Sequence, residues 1–123
     1  MPLVSETDEG ARHWRLYVRD MIEFGERVIG YAASLDQQSF TADQIVYDAT
    51  LRNIELIGEA ATHIPEPVRD AHPEIQWRQI VGVRNQVAHG YLGIDDDTIW
   101  SIIQTSIPDL LAALRGLLEE EQT

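Results

Sequence analysis

Apolar residues return every third or fourth position along almost the whole chain, and nowhere do they alternate strictly with polar ones. That spacing places side chains on one face of a helix, whereas a half-buried strand requires a period of two. Residues 10–35 carry Trp14, Tyr17, Met21, Phe24, Val28, Tyr31 and Leu35 on one stripe. The stretch DQQSF then breaks the pattern. Thr41, with Gln44 three residues on, reads as a capping box opening a second helix to about Ile64. Its apolar side carries Val46, Ile54, Ile57, Ala61 and Ile64, and Pro65 and Pro67 end it.

The connector EPVRDAHP has room for one helical turn. A third helix is predicted over 75–89, with Trp77, Ile80, Val81, Val87 and Ala88 apolar. After the loop GYLGIDDD, one of Asp95, Asp96 and Asp97 caps a fourth helix bearing Ile99, Ile103, Ile107, Leu110, Leu114 and Leu117. This stripe keeps its phase across Pro108, which predicts one kinked helix rather than two. The fold class is therefore all-α, an antiparallel four-helix bundle with a kinked last helix.

A chain of 123 residues fits one such domain, here residues 10–120, with residues 1–9 and 121–123 read as flexible ends. Burial is moderate at this size, so an oligomer is expected. There is no cysteine, which rules out disulfides and thiolate metal sites. The start MPLVSETDEG has neither the basic region nor the apolar run of a secretory leader, and no stretch approaches a membrane span. A cytoplasmic location is expected. The formal net charge of −12 argues against a protein that coats nucleic acid through its general field, although a local cationic site remains compatible with it. All nine basic residues are arginine.

One stretch does not fit a plain core helix. VRNQVAHGYLGI, residues 83–94, places Arg84 in line with Ile80, Ala88 and Tyr91, within about 40° of one another. A charge on an apolar stripe requires an ionic partner, a solvated cleft or a second chain. Glu55 and Glu59 are candidate partners. His89 lies five residues on, about 140° away in a continuous helix. Convergence on Arg84 then requires a helix end at Gly90, or two copies of the helix facing each other. Taken singly, each residue also has a purely structural reading. Arg84 fits an ion pair, His89 a helix-end residue contacting the last carbonyls, and Tyr91 an amphipathic cap over the core.

The spacing Arg84-x4-His89-x-Tyr91 resembles the R-x4-H-x-Y signature of the HEPN superfamily in its HepT-like branch. Flanking stretches resemble that branch in the same order: YVRDM (17–21), LRNIELIGEAA (51–61), HPEIQWRQIVGVRN (72–85) and HGYLGID (89–95). The resemblance implies a homodimer with the motif at its cleft. It implies a metal-independent endoribonuclease, without cofactor, acting on single-stranded RNA, tRNA or mRNA. It also implies the toxin component of a type VII-like toxin–antitoxin pair, whose nucleotidyltransferase antitoxin adenylylates the motif tyrosine, here Tyr91. A non-catalytic HEPN module that docks a nucleotidyltransferase or a nucleotide is the alternative.

These residue types suit the implied reaction. RNA cleavage through the neighbouring 2′-hydroxyl needs proton transfer, and an imidazole such as His89 titrates near neutral pH. Charge builds on the phosphoryl oxygens, and Arg84 is a permanent planar donor. Asn85 is a neutral polar neighbour, for RNA or for orienting a side chain. Tyr91 suits stacking on a base or contacting phosphate. Arg52, Glu55 and Glu59 share a helical face and, with Arg78, are candidate cleft residues, although a solvated salt-bridge face explains the first three somewhat more simply.

The remaining features read as structural. The run Asp95–Asp97 lacks calcium-loop spacing and glycine, so capping accounts for it. His13, His63 and His72 read as surface residues, and Trp14, Trp77 and Trp100 as core. Gly82 inside the third helix points to close helix packing, within the chain or at a dimer axis.

Overall fold

The computed structural model describes the backbone of residues 6–88 and 94–122 and the side chains of 13–88 and 94–120. Among them every regular element is a helix. The helices are α1 (Glu6–Ala32), α2 (Gln37–Ala42), α3 (Gln44–Ala61), α4 (Glu66–Ala71), α5 (Trp77–Ala88), α6 (Asp96–Ser101) and α7 (Ile107–Gln122), with a π-helical segment, Ile102–Ser106, between the last two. α1 packs on α3 and α7, and α3 packs on α5. The long helices form the expected bundle, and the short elements turn the chain between them.

The seam of α1 runs through Trp14, Val18, Met21, Gly25, Val28 and Ala32, all buried and spaced alternately by four and three. This corrects the stripe read from sequence. Tyr17 and Phe24 are half-buried beside the seam, and Tyr31 is exposed. Small residues occupy the seam because α7 comes close there. A Cβ on Gly25 would meet Leu111 Cδ2 at 2.8 Å. The aromatic rings flank this line of contact, where a phenol can keep its hydroxyl in water.

Helix starts are set by aspartates. Asp36 opens α2 by accepting from the Ser39 amide at 2.8 Å, while its own amide donates to Ser39 Oγ at 3.0 Å. The stretch read as a break is therefore a capping box. Asp43, not Thr41, caps α3, accepting from the Val46 amide at 3.1 Å, and Thr41 lies inside α2. Both correct caps are carboxylates, whose charge suits a helix N-terminus better than the Thr41 hydroxyl does. α4 is the single short helix expected of the connector. α5 begins at Trp77 rather than at position 75, with Ile75 buried in the turn before it.

The kink before Pro108 takes a definite form. Proline cannot donate to the carbonyl one turn back, and the ladder widens just ahead of it, so that the Ile107 amide reaches Ile102 O, five residues earlier. The apolar stripe survives: Ile99, Ile103, Ile107, Leu114 and Leu117 are all buried, with Leu111 in place of the half-buried Leu110. His72 was expected at the surface but is 4% exposed. Its carbonyl accepts from Trp77 Nε1 at 3.1 Å and its Nδ1 lies 3.3 Å from Glu74, tying the turn to the start of α5.

Candidate active site

The site is assembled at the seam of α3 and α5. α5 buries only Trp77 and Val87, and Ile80, Val81, Val83 and Arg84 are half-buried. Arg84 can lie against α3 because Gly58 faces it. A Cβ on Gly58 would collide with Arg84 Cβ and stand 3.1 Å from the Ile80 carbonyl. Arg84 is thus an element of the packing between two helices, with its stem on α3 and its guanidinium at the edge, 26% exposed.

Two oxygens hold that guanidinium. Nη2 donates to Glu59 Oε2 at 2.6 Å, and Nη1 donates to Asn85 Oδ1 at 2.7 Å. Of the two acidic partners proposed for Arg84, Glu59 is therefore the one it uses. Glu55 pairs instead with Arg52 at 2.8 Å, an i,i+3 pair whose arginine is 64% exposed. Arg78 is exposed in the first turn of α5. Asn85 orients Arg84 through its carbonyl oxygen and so turns its amide donors away from the guanidinium. His89 and Tyr91 lie outside the described residues, as does the expected helix end at Gly90.

The cluster extends to two residues that the sequence did not mark. The other oxygen of Glu59 lies 4.0 Å from His63 Nε2. The His63 ring stacks on Tyr17, with centroids 4.5 Å apart and planes 11° apart. Tyr17, His63, Glu59, Arg84 and Asn85 thus form one continuous polar and aromatic strip across α1, α3 and α5. Their separation in sequence hid this, since each appears alone on its own helix. Gly58 did give a signal, a helix-interior glycine one residue before an acid. Close packing within the chain occurs at Gly58, whereas a Cβ on Gly82 meets nothing within 4 Å among the described residues of the single chain.

The run Asp95–Asp97 is structural, as expected. Asp95 caps α6 by accepting from the Thr98 amide at 2.7 Å, Asp96 accepts from the Tyr47 hydroxyl, and Asp97 accepts from Gln37 Nε2. No group of three or more His, Asp or Glu able to hold a metal occurs among the described residues. An apolar groove of about 290 Å³ lies elsewhere, beside α5, with Ile54 and Ile57 facing Ile80, Val83, Ile107 and Leu110. It does not include Arg84, so the roomy pocket and the charged cluster are separate features.

The family model described as Ribonuclease HepT-like matches residues 21–117, most of the chain and all of this cluster except Tyr17. The chain belongs to that family. Its relatives include a protein named Probable ribonuclease HepT from Thermococcus cleftensis, 32% identical over 76% of this chain and 86% of its own length. A protein named as a candidate RNase from Caldanaerobacter subterraneus is 29% identical over 88% of this chain and 96% of its own. Another, from Methanocaldococcus jannaschii, is 30% identical over 80% and 91%. No solved structure matches the chain significantly. As a HepT-like ribonuclease the chain has its Arg84 oriented by an acid on the neighbouring helix, and no helix of the described residues is long and apolar enough to cross a membrane.

Proposed function

We propose that this HepT-like chain cleaves RNA as a homodimer without a metal, with Arg84 and His89 as catalytic residues. The observation that carries the reading is the posture of Arg84. A half-buried guanidinium gripped by Glu59 and Asn85 is aimed before substrate arrives, and a preoriented donor is the form that stabilises developing phosphoryl charge most effectively. In the reaction the RNA 2′-oxygen bonds to phosphorus as the bond to the 5′-oxygen breaks. One imidazole takes the 2′-hydroxyl proton and a second protonates the leaving 5′-oxygen, which two His89 side chains across a two-fold axis would provide. α5 buries only Trp77 and Val87, and its outer surface, with Gly82, Asn85 and Gln86 exposed, leaves room for a second chain to pack there.

In this reading the protein is a toxin, and its antitoxin is a nucleotidyltransferase that places AMP on Tyr91. The added phosphate would compete with RNA for Arg84, seven residues earlier in the chain, and its bulk would occupy the cleft. The test is cleavage of RNA in EDTA by the purified protein. His89→Ala and Arg84→Ala should each abolish cleavage and relieve growth inhibition, with the dimer retained. Full activity in either variant removes it from the mechanism. Intact RNA combined with tight nucleotidyltransferase binding would favour a non-catalytic docking module instead. A mass increase of one AMP, lost in Tyr91→Phe, tests the modification.

A further inference from the structure

The Tyr17–His63 pair lies at the end of the strip that begins at Arg84. Tyr17 covers one face of the imidazole, yet the His63 side chain is 48% exposed, so its outward face and edge meet solvent. Two flat rings already held parallel form a rigid stacking surface. One carboxylate links this surface to the guanidinium, since Glu59 touches Arg84 at 2.6 Å and approaches His63 to 4.0 Å. Platform and guanidinium are therefore within the span of a single nucleotide.

We infer that His63, backed by Tyr17, is a nucleobase-stacking subsite for the nucleotide whose phosphate lies at Arg84. The inference rests on the ribonuclease reading above. Unpaired bases are commonly bound by stacking on aromatic and histidine rings. The charge balance gives a further reason. A chain with a net charge of −12 gains little RNA affinity from its general field, and stacking is an attraction that does not depend on positive charge. Glu59 lies beside the platform, where its outer oxygen is placed to accept from an amino or imino group on the base edge, while its other oxygen holds Arg84.

The test is equilibrium binding of a short, labelled, single-stranded oligoribonucleotide to the full chain, in a His89→Ala background that prevents turnover. A matched series carries one abasic ribose at successive positions. One abasic position should weaken binding about 5- to 150-fold. His63→Ala should cause a similar loss with the intact oligonucleotide and abolish the effect of that abasic position. His63→Phe keeps a flat ring and should restore both. The inference is overturned if His63→Ala binds as tightly as its parent, or if every abasic position remains as costly in the variant as before. Should His63→Ala fail to fold, the parent's abasic series decides, and a series with no sensitive position overturns the platform. Normal cleavage by the His63→Ala chain with His89 retained, together with unaltered His63→Ala binding, removes the platform alone. A chain that neither binds nor cleaves RNA removes the ribonuclease reading as well.

Discussion

Arg84 on α5 donates to Glu59 on α3 across 2.6 Å, immediately beside the glycine that lets the two helices meet. Glu59 is 51% exposed, and pairs of this exposure contribute about 0–1 kcal/mol to stability. Its consequence is therefore geometric. Glu59→Ala should change unfolding free energy by less than about 1 kcal/mol but lower kcat/KM for RNA cleavage by roughly 10- to 100-fold, the scale of a misplaced catalytic group. Glu59→Gln retains an acceptor for Nη2 and should recover part of that loss. Thermal melts beside single-turnover kinetics separate the two effects, and equal losses in both would make Glu59 merely a stabilising residue.

Gly58 and Gly82 should respond oppositely to alanine. At Gly58 the new methyl has no room against Arg84 Cβ, and an overpacked helix seam costs about 1–3 kcal/mol. α5 must then move outward, so activity should fall with stability. At Gly82 the methyl meets nothing within 4 Å among the described residues, and replacing glycine inside an exposed helix gains about 0.5–1 kcal/mol. If the chain dimerises as proposed and two α5 helices meet at Gly82, the same change should instead weaken association. Denaturant melts and sedimentation of Gly82→Ala across protein concentration read both quantities.

The bundle was legible in the sequence because apolar spacing is a direct record of which helix face is buried. Even there, Tyr31 keeps the helical spacing yet is exposed, while Val18, Gly25 and Ala32 lie in the seam because close helix approach selects for small residues. Arg84 could be marked as anomalous from its position on an apolar stripe, and Glu59 named among its possible partners. What periodicity cannot supply is contact between helices far apart in sequence. The stacking of Tyr17 on His63 spans α1 and the turn after α3, and neither residue is unusual within its own segment. His72 sits in the turn between α4 and α5, where helical periodicity gives no guide to burial, and it is buried there.

The helix caps predict how acid unfolds the protein. Backbone hydrogen bonds from Ser39 and Thr98 hold the carboxyls of Asp36 and Asp95 below their ordinary value of 3.8. A lowered folded-state pKa means that stabilisation is fully present above the ordinary value and is lost as pH falls through the depressed one. Melting temperature should therefore decline on acidification below about pH 4. Asp36→Asn with Asp95→Asn keeps an oxygen acceptor at each cap but removes the titration, so the double variant should show a shallower acid limb. An unchanged limb would place the acid sensitivity elsewhere.

Salt dependence can establish how many arginines touch RNA. For single strands the slope of log affinity against log salt is about −0.7 per neutralised phosphate. If the chain dimerises as proposed and the site supplies only two Arg84 side chains, the slope is near −1.4, and raising salt from about 50 to about 200 mM weakens binding only about sevenfold. If Arg52 and Arg78 of both chains also engage, six contacts steepen the slope to about −4. The net charge of −12 favours the shallow value, because a strongly acidic surface gives RNA few further phosphate contacts. Fluorescence anisotropy of a non-cleaved oligoribonucleotide across that salt range distinguishes the cases. A steep slope that falls by one third in Arg78→Ala would bring Arg78 into the cleft, and a shallow slope unaffected by Arg78→Ala would leave it outside.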